Sequence, residues 1–546
     1  MGHELRTRTA SRKGSPAIRL GGSRLLKAWL VALAAVMLTA CPEDDPAELC
    51  FQVGVYAPAG HDPFTGVAFL RLSAEIDGEA TGDSNVVAYT PGGGGSIPYV
   101  PFGDDIQLVV EGWTAASGGG LGSLISRGKT IPRSCVAGQT SELLTVMMTR
   151  INAFAQLTHA VSRNPVSITE GRVGHTVTTT PANEVVIVGG KSIASTSDNW
   201  WEAGDPASFK KSVEVVSGAD KSVRTHTPMY FSRVWHTATA LSTGQVLIAG
   251  GFTDISGQTQ ALKRVEVYSP GADGSISVLQ AQMAAARAGH TATLVDEGSF
   301  TVLYVGGDDG ASGTFEVWNP TAGSTGAKEM PGGASLRHHT ASLFWVDGRP
   351  APSVLIAGGE DSEGNPSDAV FIYDAASDRM LELSQKLNSP RTQPGSVWVP
   401  SRNYVYVIGG YLNGDRSSAS TTIDVFDIRN ETLSAPGGFK LKRPRGGHST
   451  VWLGGNSVLM AGGTDGIAAL DEIEVIYEYV DTDNTIVIDT AVSNNDASLG
   501  PIIPFLPEPR LGAVSARMPS GVALVVGGAS PSDPVLPTSL YFYNPL

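Results

Sequence analysis

At 546 residues, 41% of them hydrophobic and 17% charged, the chain is long enough for one large domain and a smaller one, each with its own core. A formal net charge of −15 argues against nucleic acid and anionic headgroups as partners, and no basic stripe opposes that reading.

Seven basic residues fall within residues 1–27, and the apolar run Ala28 to Ala40 that follows is too short for a settled membrane span. Basic, then apolar, then small is the pattern of a secretory signal, here residues 1–40. It ends in Leu38-Thr39-Ala40-Cys41, which resembles a bacterial lipobox: small residues fit the lipoprotein signal peptidase, and the cysteine thiol accepts a diacylglycerol. The resemblance implies lipidation at Cys41, the bland alternative being an ordinary signal with an incidental cysteine. Loss of residues 1–40 removes seven basic residues and one acidic one, taking the charge from −15 to −21, so the expected attachment is through acyl chains and not surface charge. Residues 41–47, with Pro42-Glu43-Asp44-Asp45-Pro46, form a lipidated tether. Proline rather than aspartate after the cysteine leans toward the outer membrane over the inner one.

The remaining cysteines, Cys50 and Cys135, both lie in residues 48–150. Outside the cytoplasm they are expected to form a disulfide clamping the first and a late strand of a small domain, the alternative being two buried free thiols. Short β-type runs at Phe51 to Tyr56, Ala68 to Leu72, Ile106 to Glu111 and Leu143 to Thr149 are separated by Gly-rich turns. The expectation is a β-sandwich resembling immunoglobulin-like or transthyretin-like modules, serving as a spacer.

From residue 152 to 546 one unit recurs seven times. It opens at Arg172, Arg233, Arg287, Arg337, Arg391, Arg445 and Arg510, in the first three copies as Arg-x-x-His-Thr, and runs through an apolar strand to a glycine pair. The pairs end at Gly190, Gly251, Gly307, Gly359, Gly410, Gly463 and Gly528, at intervals of 51 to 65 residues. A third run alternates with period two, as in Arg264 to Pro270, and a weaker fourth precedes the next arginine. Glycine pairs, Arg-x-x-His openings and closing Tyr-Asp-type strands at this spacing resemble kelch repeats, whose four-stranded units are the blades of a β-propeller. The resemblance implies an all-β chain with a seven-bladed kelch-like propeller. The last unit ends after its third strand, so ring closure requires Ala153 to Val161 or Val166 to Ile168 to pair with Leu540 to Tyr543.

Galactose oxidase shares the kelch fold, but its copper site needs a cysteine-crosslinked tyrosine, and this propeller contains no cysteine. The histidines His175, His236, His290, His339 and His448 recur at equivalent places and read as a repeated structural hydrogen bond, so no metal or other cofactor is assigned. The resemblance also places the seven arginines near the channel mouth, where they would grip an anion, unless Asp308, Asp309, Glu360, Asp361 and Asp465 neutralise them. Trp200-Trp201, in the polar loop Lys191 to Lys211, would stack on a sugar or anchor a protein partner, or else pack on the rim. The excursion Asp481 to Glu508 reads as a second rim decoration. No hydrolase motif or phosphate loop occurs, and no catalytic residue is assigned. The expected protein is a monomeric, envelope-displayed lipoprotein that binds a protein or a glycan; the competing reading is a glycan-active or other small-molecule enzyme with its site at the channel mouth.

Overall fold

The computed structural model describes residues 37–39, 50–58, 60–76, 79–90, 103–136, 141–193, 199–308, 313–480, 486–492, 506–530 and 537–544. Cys41 and its tether, Pro91 to Gly95 and Asp309 lie outside them.

Seven antiparallel sheets follow one another along the chain, six of them four-stranded and the third five-stranded, its outer strand being split into Gly323–Ser324 and Lys328–Glu329. In blade 2, for example, the inner strand Thr237–Ala240 pairs with Val246–Ala249, that with Val265–Ser269, and that with the outer strand Ser275–Val278. Inner strands touch in sequence around a ring, and the first, Thr176–Thr179, meets the last, Val514–Arg517, so the ring is closed. This is a seven-bladed β-propeller.

Alternation within the second strand explains the packing. Val186 and Val188 of blade 1 join Val246 and Ile248 of blade 2 in one core, whereas Val185 and Ile187 point the other way onto Leu524 and Phe542 of blade 7. Each blade therefore buries both faces against its neighbours, which is why its second strand is apolar at every position. The inner strands around the narrow axis stay small and half-buried, as in Thr237–Ala240.

Closure uses the segment that the chain's accounting required. Ala153–Gln156 pairs antiparallel with Tyr541–Asn544, with Phe154 opposite Tyr543, and Ser167 bridges to Ser539. The excursion after blade 6 corrects the sequence reading: Ile486–Val492 is the outer strand of that blade, paired with Ile473–Val480.

The small domain packs two sheets over one core. Phe51–Tyr56 runs parallel to Glu142–Met147, while Phe69–Ile76 lies between Glu79–Ala88 and Gly103–Ala115, followed by Leu121–Lys129. Val53, Val55, Leu70, Leu72, Leu108 and Val110 fill the space between the sheets. Glu79–Ala88 and Leu121–Lys129 were not foreseen because polar and glycine residues interrupt their alternation. Cys50 and Cys135 form the disulfide, with Cα atoms 5.6 Å apart, and join the start of the first strand to the end of Arg133–Cys135. Met37–Thr39 pairs along Phe51–Tyr56 on the side away from Glu142–Met147.

The two domains are joined by buried polar contacts. The Asn544 amide donates to Thr149 Oγ1 (2.7 Å) and to the Arg127 carbonyl (3.0 Å), and Arg163 stacks 3.8 Å from the Tyr56 ring centroid.

Candidate functional site

The repeat arginines are tied inward. Arg172, Arg233, Arg287, Arg391, Arg445 and Arg510 have no exposed surface. In Arg287, Nε donates to Glu316 (2.9 Å) and Nη1 to the carbonyl of Gly306 (2.6 Å), the first residue of its own glycine pair. Arg172 with Glu214, Arg233 with Glu266, Arg391 with Asp424 and Arg445 with Glu474 repeat the ion pair. Glu214, Glu266, Asp424 and Glu474 are each the second residue of a third strand, and Glu316 is the third residue of Thr314–Asn319. The expected ring of anion-gripping guanidinium groups is therefore not open to a ligand, and the neutralising carboxylates are mostly not the loop acids proposed from sequence.

Blades 4 and 7 depart in an orderly way. In blade 7 the acid's place is taken by Tyr541; the Arg510 guanidinium lies 5.1 Å from that ring and pairs instead with Glu508 (2.8 Å). In blade 4 it is taken by Phe371, and Leu336, not Arg337, occupies the arginine's place. The N–H of Gly307 bonds to the Leu336 carbonyl just as that of Gly251 bonds to Arg287, and Leu336 and Phe371 share one core. Blade 4 thus replaces the ion pair with an apolar one, and Arg337, one residue on, is free to turn toward the surface.

The histidines are part of the ring's structure. Nε2 of His236, His290 and His339 meets the hydroxyl of Thr176, Thr237 and Thr291 of the preceding blade at 2.8 to 3.1 Å. His448 and His175 have no such partner, because the matching residues are Gly395 and Val514. Burial, with the neighbouring guanidinium second, pushes His175, His339 and His448 down to about 3 and holds His236 and His290 well below 6.5.

One position earlier, every blade places a residue in the left-handed region. Gly174, Gly289, Gly447 and Gly512 do so without cost, but Trp235 (φ 56°), His338 (φ 53°) and Gln393 (φ 50°) are not glycine. Consecutive blades are linked here by backbone bonds running in one sense: Trp235 to Gly174, Gly289 to Trp235, His338 to Gly289 and Gln393 to His338, at 2.9 to 3.0 Å. The circlet forms the rim of the channel mouth.

Trp200, 5% exposed, lies across that rim. A Cβ at Gly447 or at Gly512 would come within 2.5 Å of its indole, so those two glycines make its seat. Trp201 stands edge-on to Trp200 (6.1 Å) and half-buried, with the Arg416 guanidinium 5.6 Å from its ring. Of the tandem pair, Trp200 packs on the rim and Trp201 faces a cavity.

That cavity, about 560 Å³, opens beside the mouth between Trp201, Trp235, His338, Arg337, Glu360 and Arg416. Glu360, buried, bridges Arg337 (3.0 Å) and Arg416 (2.9 Å), and Arg337 also reaches Asp308 (2.6 Å). Burial opposes the Arg337 charge, but Asp308 and Glu360 outweigh it and hold the guanidinium above its ordinary value. A second cavity of about 260 Å³, lined by Trp200, Trp235, His338, Gln393 and the repeat histidines, adjoins it at the axis. Sequence reasoning missed Trp235, Gln393 and Arg416; the signal for the first two is their departure from glycine at a position that is glycine in four copies. Among the described residues no group of three or more His, Cys, Asp or Glu side chains is arranged to hold a metal ion.

The fold is that of a seven-bladed β-propeller, which is consistent with a binding or scaffolding module. No family model matches the chain. Among solved structures, that of YjhT aligns over 59% of this chain and 98% of its own, at 16% identity and a TM-score of 0.42, a level of likeness that carries no functional argument.

Two outcomes follow. Arg287→Ala leaves Glu316 buried without its cation and should cost about 3–5 kcal/mol, whereas Arg337→Ala leaves Glu360 paired with Arg416 and should cost about 1 kcal/mol; equal losses in urea titrations would contradict the two roles. The buried histidines remain neutral in the folded state while the unfolded chain protonates near 6.5. Stability is thus full above about pH 6.5 and falls as the pH drops toward about 3, by about 1.4 kcal/mol per unit for each such histidine. Denaturant midpoints that do not change between pH 7 and pH 5 would refute this.

Proposed function

We propose that this protein is a lipid-anchored component of a bacterial cell envelope, built on kelch-type repeats, whose propeller binds a glycan in the cavity beside its channel mouth. The observation that carries the binding reading is the cost accepted there. Trp235 and His338, which line this cavity, and Gln393, which lines the adjoining one, hold left-handed backbone where other blades use glycine, at about 1 kcal/mol or more each. Strain gathered at one place supports a role for the side chains that require it.

The lining suits a polyhydroxylated ligand. Indoles at Trp201 and Trp235 offer faces or edges to the C–H surface of a sugar. Arg337, Arg416, Glu360 and Glu363 offer donors and acceptors for hydroxyls around it. Rigid charges already bridged to one another lose little freedom on binding, which favours affinity. The enzyme alternative lacks a comparable observation, since Glu360, the most enclosed carboxylate of the cavity, is held by two guanidinium groups.

The anchor reading rests on the basic and apolar N-terminus ending in Leu38-Thr39-Ala40-Cys41. Processing before Cys41 would remove Met37–Thr39 from the edge of Phe51–Tyr56 and leave that strand paired with Glu142–Met147.

A thermal-shift screen of neutral, acidic and basic oligosaccharides tests the binding reading, because a ligand of the native state raises the melting temperature. Trp201→Ala should abolish the shift, and His338→Gly should weaken it without lowering the unliganded midpoint, since glycine relieves the backbone. No shift with any sugar would count against the glycan and leave a protein partner, and a shift untouched by both variants would put the sugar outside this cavity. In a bacterial host, palmitate should label the protein in the membrane fraction, and Cys41→Ser should remove the label; labelling that survives would refute the anchor.

A further inference from the structure

A third cavity, of about 440 Å³, lies where the small domain meets the propeller and has no part in the site above. Its walls come from Leu121–Lys129, Arg133–Cys135 and Glu142–Met147 of the small domain, the turn Gly218 to Lys221 of blade 1, and the turn Arg517 to Val522 of blade 7. The inner strand of blade 7 begins at the channel mouth and ends at that turn, so this cleft is on the face of the propeller opposite the mouth.

Its charge runs against that of the molecule. Arg127, Lys129, Arg133, Lys221 and Arg517 line it, against only Glu142 and Asp220, in a chain whose net charge is −15. Arg127 and Lys129 are committed to Glu75 and Glu111 within the small domain, and Arg133 lies 3.5 Å from Glu142. The two cations from the propeller are not so committed. Among the described residues Arg517 makes no ion pair with a carboxylate, and it stacks on Trp452 at 5.0 Å. Lys221, held at φ 60°, directs its ammonium to the Gly218 carbonyl. Burial pushes that ammonium down to about 8, which leaves it mostly charged at neutral pH.

The same cleft gathers apolar surface. Val161 is 78% exposed and Leu143 49% exposed, both large for their type, and Leu453, Val522 and Phe542 continue the wall. Basic groups beside exposed aliphatic ones fit a ligand with an anionic head and a hydrocarbon body, and the volume lies within the usual range for small-molecule sites. We propose that this cleft binds a single-chain amphipathic anion, with a carboxylate or phosphate head held by Arg517 and Lys221 and a short alkyl chain along Leu143 and Val161.

Calorimetry on the full-length protein, below the micellar concentration, tests the proposal with decanoate, decanol and inorganic phosphate. Decanoate should bind saturably with one site, and decanol and phosphate at least tenfold more weakly, because each supplies half of the ligand. The double variant Arg517→Gln/Lys221→Asn, in which asparagine tolerates the left-handed backbone, should weaken decanoate tenfold or more at an unchanged melting temperature. If that variant loses stability, Val161→Asp, at an exposed position, should weaken decanoate to a similar degree. Trp201→Ala should leave decanoate binding as it is, which separates this cleft from the mouth. Equal affinity for decanol and decanoate, undiminished binding by the folded variants, or no saturable binding of decanoate would each overturn the proposal.

Discussion

The propeller depends on one recurring tie. In five blades an arginine at the entrance to the inner strand donates to an acid on the third strand, and in most of these also to the first glycine carbonyl at the end of the second. One guanidinium thus fixes three strands at a single point. Charged groups with no exposed surface gain little net stability from pairing, because desolvation offsets attraction. Blade 4 bears this out in the molecule itself, where Leu336 against Phe371 does the same work with no charge. What the pair supplies is register, and the glycines follow from it. The first glycine of each pair abuts the next blade's loop carbonyl, and the second abuts its own blade's histidine in the five blades that carry one: a Cβ at Gly250 would stand 2.5 Å from the Arg287 carbonyl, and one at Gly251 2.7 Å from the His236 Cβ.

Seven-fold recurrence made the fold legible, because seven copies of a strand pattern leave little else for the chain to build. Closure was legible too, from a last blade one strand short. The direction of the arginines was not. It depended on an acid in the third strand, visible in VEV of blade 1 and DV of blade 5, whose significance appears only when the second and third strands are set in register. Arg337 was misplaced for a related reason. Arg-His-His reads as the repeat opening, but the backbone aligns on Leu336, and one residue of slippage turns a buried tie into a cavity wall. The cleft between the domains left no signal at all, since Arg133, Lys221 and Arg517 are scattered through some 380 residues and meet only through docking of the small domain.

The two faces of the propeller are consequently unlike. At the mouth, carboxylates and guanidinium groups are bridged to one another around indoles, and the backbone circlet that carries them departs from glycine in three blades. At the opposite face, turns of blades 1 and 7 meet the small domain, and their cations Lys221 and Arg517 rest on a backbone carbonyl and an indole instead of a carboxylate among the described residues. Because the N-terminal strand of the propeller is also the outer strand of blade 7, Thr149 and Asn544 bond directly across the junction. Any ligand that moves the small domain would therefore pull on the strand that closes the ring. Under the proposed anchor the small-domain face is the one tethered nearest the bilayer. The mouth, on the far side, is then the face left open to whatever the protein meets.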